Sequence, residues 1–236
     1  MPLKKREESS GSCFAQEEEK KMVLCSSRTQ GIQNNPTTHS IPKCHTSRYI
    51  EYNLLSKKMT ASNILRLLQK YVRAVEQRGV DNLNADYPYL LAEPEAYPVI
   101  CDALLEKIAD LPFDYVAAIE ALGFPIGGAI AHARRVGFIS IRKEGSLPGD
   151  VLQTTPFIVP YKNRQTRLEI QKDIPLSGKN VLLFDEAIDT GASLTQAVHL
   201  LTAAGAQIPS VLTITNYPDI RHIVKIPVIS LVYGPF

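Results

Sequence analysis

The sequence predicts an α/β domain: a mostly parallel sheet flanked by helices. Two observations carry this. Short apolar runs of strand length alternate along the chain with longer segments of helical period, as strand–helix–strand units do. The runs over 115–119 and 180–184 are also apolar without alternation, the mark of strands covered on both faces. Composition agrees. The chain has 236 residues, mean hydropathy −0.07, 26 Lys+Arg against 24 Asp+Glu and a net charge of +2. That length buries a sizeable core, and the even charge balance argues against a nucleic-acid binder. No run reaches the ~20 apolar residues of a membrane span. A soluble protein of the cytoplasm is expected.

The elements follow in order. Residues 1–58 hold ten Lys/Arg against six Asp/Glu and are rich in Ser, Thr, Gln and Asn. Such a segment buries too little apolar surface to offset chain entropy, so it is expected to be a disordered extension, with the folded domain at 59–236. Three of the four cysteines (Cys13, Cys25, Cys44) fall in that extension, the fourth is Cys101, and no CxxC occurs. A structural zinc site is therefore not expected. Ser62, the apolar series from Ile64 to Val75 and Gly79 predict a capped amphipathic helix. Pro94 opens a second helix through Ile108, closed by Pro112.

A strand follows over 115–119, then a helix over about 125–135, a strand over 138–141 and another over 152–159. The buried strand over 180–184 runs into a turn at 185–191 and a helix over 193–204 that Gly205 closes. Strands over 211–215 and 228–232 complete the set. In such sheets ligands bind beyond the carboxyl ends of strands, which points to the loops after Ile119 and Phe184.

The segment after Phe184 is the most informative. Two adjacent carboxylates, Asp185 and Glu186, leave the strand, and Thr190, Gly191, Ala192 and Ser193 form a tight turn into a helix. The turn and the helix start aim N–H groups and two hydroxyls at one point, which suits a phosphate. The carboxylates suit sugar hydroxyls, or Mg2+ through water. Together they describe a site for a ribose 5-phosphate.

This segment resembles the 5-phosphoribosyl-1-pyrophosphate (PRPP) signature of type I phosphoribosyltransferases. Residues 114–124 resemble the pyrophosphate loop of the adenine phosphoribosyltransferases, and Arg142, Lys143, Leu147, Pro148 and Gly149 resemble their flexible-loop motif. Residues 168–173 are similar to their return strand, and 91–97 to the stretch before their second helix. The resemblance implies a type I phosphoribosyltransferase fold with a small hood region, and transfer of phosphoribosyl from PRPP to adenine, giving AMP and pyrophosphate in purine salvage. It implies Mg2+, held by Asp185 and Glu186, and a homodimer.

It also implies the site. Glu120, Ala121, Gly123, Asp185, Glu186, Thr190, Gly191, Ala192, Ser193 and Tyr161 bind substrate. Arg142 and Lys143 attend the leaving pyrophosphate under a lid over 143–166. Asp189 either exchanges a proton with the base or is an Asx-turn residue. Residues 84–91 belong to the hood, where Tyr87 or Tyr89 stacks on the purine or simply packs. His132 and His199 are expected on helix surfaces.

The family's pattern is broken at three positions. Leu122 stands where an arginine is usual, Ser146 where a lysine is, and Pro160 where a glutamate precedes the lid tyrosine; Arg164 or Arg167 is available to replace one cation. Two other readings follow. Asp189 is suited to a 6-oxopurine enzyme, and the three changes to a diverged paralogue that binds PRPP with little or no catalysis.

Overall fold

The computed structural model describes residues 60–72, 74–76, 83–85, 87–159, 164–217 and 224–234. The expected extension over 1–58 and Tyr161 lie outside the described residues. Among those described, no helix is long and apolar enough to cross a membrane.

The first helix, α1, spans Ala61–Tyr71, shorter at its end than the spacing predicts. Its cap is Thr60 rather than Ser62: the Thr60 hydroxyl accepts the Asn63 N–H at 3.4 Å. Val72 is already extended. Val72 and Val75 fit the helical period, yet the chain turns there into β1 (Ala74–Glu76), which pairs antiparallel with β2 (Leu83–Ala85). Helix α2 (Tyr87–Ala92) follows. Then α3 spans Tyr97–Lys107, with a proline in its first turn. It starts three residues after Pro94, because residues 93–96 form a separate turn in which the Ala96 and Tyr97 N–H groups donate to the Glu93 carbonyl.

Strand β3 (Tyr115–Ile119) leads through α4 (Gly123–Arg134) to β4 (Gly137–Lys143). The single strand expected over 152–159 is two. β5 (Val151–Gln153) pairs with β8 (Leu168–Gln171) in the main sheet, while β6 (Phe157–Val159) pairs with β7 (Arg164–Thr166) as a separate ribbon. Pro156, with no N–H to give a ladder, stands at the break. β9 runs over Val181–Ile188, so Asp185 and Glu186 lie within the strand, not in the loop beyond it. The reason is β10 (Val211–Asn216), which pairs with β9 as far as Ile188. Between them lies α5 (Ala192–Ala203), and β11 (Val228–Tyr233) closes the fold.

The seven strands lie in the order β11-β10-β9-β3-β4-β8-β5. The first five are parallel and β8 and β5 antiparallel to their neighbours. Alternation divides the core between the faces. Val116, Ala118, Leu182 and Phe184 pack with residues of α1 to α4; Ala117, Ile119, Val181 and Leu183 pack with α5. Gly127 lets α4 approach closely, since a Cβ there would sit 2.8 Å from the Ala118 Cβ. From β3 the chain first winds toward β4, and later toward β9 and β10. The topological switch point therefore falls between β3 and β9.

Candidate functional site

A cavity of about 290 Å3 opens at that switch point. Three parts of the chain form it: the end of β3 with residues 120–122, the end of β9 with residues 189–194, and the β6–β7 ribbon with Lys143 and Leu168.

The β9 side is set by the sheet and by one helix start. Asp185 and Glu186 line the cavity. Burial, and then the neighbouring Glu186 carboxylate, push the Asp185 carboxyl well above the usual carboxylate range. Two acids this close repel in their ionised forms, so the pair is poised to take a proton, hydroxyl donors or a cation. Beyond them, Gly191 adopts the left-handed conformation (φ 75°) that begins α5, a geometry that glycine takes without a Cβ penalty. The Thr190 hydroxyl accepts the Ala192 N–H at 3.4 Å. The first-turn N–H groups of α5, which have no intrahelical partners, face back along the helix axis toward the cavity, and the helix dipole favours an anion there. Asp189, Thr190, Gly191, Ala192 and Ser193 all line the cavity.

The β3 side is braced by an ion pair. The peptide between Glu120 and Ala121 is cis. Glu120 accepts the Arg142 Nε at 2.7 Å and the Lys143 N–H at 3.0 Å. Burial pushes the Glu120 carboxyl up, but those donors and their charges outweigh it and hold the group below 4.5. Arg142, whose guanidinium also lies over the Phe124 ring at 5.8 Å, does not line the cavity. It steadies Glu120 instead. Gly123 does not line the cavity; a Cβ there would meet the Ala118 Cβ at 3.4 Å and the Phe184 carbonyl at 3.5 Å. Of the expected set, Glu120, Ala121, Lys143 and the β9–α5 residues come together, and Arg142 and Gly123 support them from outside.

The third side differs from the lid expected over 143–166. Its first part is tied down. The buried Glu169 carboxylate accepts the N–H groups of Gly145 (3.1 Å), Ser146 (2.8 Å) and Leu147 (2.8 Å), and the Gln153 amide at 2.9 Å. Burial pushes this carboxyl up, but the four donors hold it below 4.5. β5 is joined to the main sheet. The β6–β7 ribbon alone stands off, and Phe157, Val159 and Thr166 wall the cavity. Sequence reasoning missed these three; the short apolar run Phe157–Val159 after Pro156 was the available signal.

Tyr87, a candidate for stacking on a base, is buried in the core at 3% exposure and does not line the cavity. Tyr89 packs against Tyr71, ring centroids 6.3 Å apart. His132 and His199 are exposed on their helices, as expected. No group of three His, Cys, Asp or Glu side chains able to hold a metal exists among the described residues.

The likeness to known proteins is consistent with this geometry. A model described as the phosphoribosyl transferase domain matches residues 90–229. An adenine phosphoribosyltransferase of Azorhizobium caulinodans is 38% identical over 135 residues, 57% of this chain and 74% of that protein. One from Dinoroseobacter shibae is 31% identical over 156 residues, 66% of this chain and 86% of that protein. Among solved structures, the Saccharomyces cerevisiae adenine phosphoribosyltransferase complexed with an iminoalditol bisphosphate and adenine superposes with a TM-score of 0.63 at 26% identity, over 72% of this chain and 99% of that one.

Proposed function

The chain belongs to the phosphoribosyltransferase family and is most like its adenine enzymes; from that premise we propose that its cavity takes PRPP and adenine and returns AMP and pyrophosphate. The observation that carries this is the placing of Asp185 and Glu186 in one cavity with the Thr190–Ser193 turn. Carboxylates that seek hydroxyls stand beside N–H groups that seek a phosphate, as the two ends of a ribose 5-phosphate require.

In the reaction the bond from the ribose C1 to the diphosphate oxygen breaks, adenine N9 bonds to C1, and the N9 proton leaves. Positive charge grows on the ribose while negative charge grows on the diphosphate. Asp185 and Glu186 hold the ribose hydroxyls and offset the first. Lys143, with the backbone of Ala121 and Leu122, faces the second. Asp189 accepts the N9 proton. Phe157 and Val159 keep water from the reacting carbon.

Mg2+ fits as a metal that arrives with the diphosphate. Asp185 and Glu186 offer two carboxylates, and the remaining positions fall to substrate oxygens and water, as is usual for this ion. When bound it supplies positive charge to the leaving group. The catalytic domain is taken as 59–236. A cytoplasmic homodimer completes the reading: the buried free thiol of Cys101 suits a reducing compartment, and sedimentation velocity reads the dimer.

The test is pyrophosphate release from PRPP with adenine, hypoxanthine, guanine and xanthine. Release with adenine and AMP as product is expected. Release only with a 6-oxopurine overturns the choice of base, and PRPP binding without release overturns catalysis.

A further inference from the structure

Among the described residues, three buried side-chain polar atoms complete no hydrogen bond: the Tyr87 hydroxyl, Thr215 Oγ1 and Asn216 Oδ1. The first two are avoidable. A phenylalanine at 87 or a valine at 215 would fill nearly the same space without burying an unpaired hydroxyl. Such groups in a native core call for a reason.

Their setting supplies one. β10 pairs Thr215 with Ala187, the residue after Glu186, and the Thr213 hydroxyl donates to the Glu186 carbonyl at 3.3 Å. The Glu186 backbone is thereby fixed from β10, and orienting its side chain is a separate task. Tyr87 begins α2 and packs in the core cluster that holds Phe184 and Ile214, with Ala187 against it. It lies outside the cavity that Glu186 lines. Burial above all pushes the Tyr87 phenol far up, so it keeps its proton; beyond burial, the groups that act on it are Thr215, Tyr217 and the Glu186 carboxylate. The phenol is thus a lasting donor with no completed bond, in the field of an acceptor that faces the substrate.

We propose that Tyr87 is a positioning residue: from outside the cavity its hydroxyl donates to the Glu186 carboxylate and aims it at the ribose hydroxyls, while Thr215 donates to the phenol oxygen in turn. A chain of two hydroxyls ending on a carboxylate balances donors and acceptors. The proposal rests on the phosphoribosyltransferase reading and adds to it a link from α2 to the sugar end of the site.

The test is calorimetric titration of the full chain, without Mg2+, with AMP and separately with the dideoxy analogue of AMP that lacks both ribose hydroxyls. A denaturant melt accompanies it. Tyr87→Phe is expected to weaken AMP about 10-fold, the low end for one lost hydrogen bond to a charged group. It should leave the dideoxy analogue unchanged and the melting midpoint equal or higher, since an unpaired hydroxyl leaves the core. Thr215→Val should act in the same direction with a smaller loss. Undiminished AMP affinity in Tyr87→Phe overturns the proposal. So does an equal loss for both nucleotides with a lowered midpoint, which is damage to packing. A wild-type chain that binds neither nucleotide overturns the phosphoribosyltransferase reading, and this proposal with it.

Discussion

At the β9–α5 end of the cavity, the groups that face the ligand ride on a buried central strand and on the backbone of a helix start. At the opposite end they are side chains on a two-stranded ribbon and on a turn tied to one carboxylate. The first end depends on the main sheet, whose residues Leu182, Leu183 and Phe184 are fully buried. The second depends on few contacts, chiefly those of Glu169 and of Glu120 with Arg142. In such a division the phosphoribosyl end is held in place by the fold itself, while the leaving-group end is free to vary in sequence. The absence of basic side chains at Leu122 and Ser146 falls wholly in that second end.

The largest expected effect breaks the first end. Asp185→Asn with Glu186→Gln should lower PRPP affinity by about 10^2- to 10^4-fold, two charge-assisted contacts at about 1.5–3 kcal/mol each, with an unchanged circular dichroism spectrum. Unaltered affinity would remove the assignment. Next, Asp189→Asn should reduce kcat with adenine about 100-fold or more, the usual worth of a positioned base, and leave the KM for PRPP in place. A variant of full activity would make Asp189 only a turn residue.

Glu169→Gln probes the second end. Leaving buried N–H groups without their carboxylate costs about 1–3 kcal/mol in a denaturant melt. Because the folded protein holds Glu169 below its ordinary value of 4.5, its contribution is full above that pH and is lost as pH falls through the depressed value. The wild type should therefore lose stability in acid more steeply than Glu169→Gln; parallel curves would count against the clamp. The smallest effect is expected from deleting residues 1–58, which should leave kcat and KM unchanged in the steady state.

Much of this was legible in the sequence, for physical reasons that differ by element. β3 and the first half of β9, Val181–Phe184, are apolar without break because both faces are covered, and that pattern survives without any structure. The Thr190–Ser193 turn was readable because a left-handed glycine at a helix start is a local requirement. The end of α1 was not readable, since Val72 and Val75 fit a helix as well as an extended chain and tertiary pairing decided between them. The extension of β9 through Asp185 and Glu186 was hidden because it depends on β10, far along the chain. The tethering of the 144–147 turn was hidden for the same reason: its acceptor, Glu169, is more than twenty residues away. The role of Arg142 as a brace also needed a long-range partner, Glu120.

The claim on which all this turns is that the β9–α5 turn grips a phosphate while the two acids beside it hold the sugar. A crystal soaked with AMP and solved for the position of its phosphate tests that directly. Density for the phosphate against the N–H groups at Thr190–Ser193, with the ribose hydroxyls at Asp185 and Glu186, is the predicted result. A nucleotide bound elsewhere, or a turn left bare at saturating AMP, would contradict it.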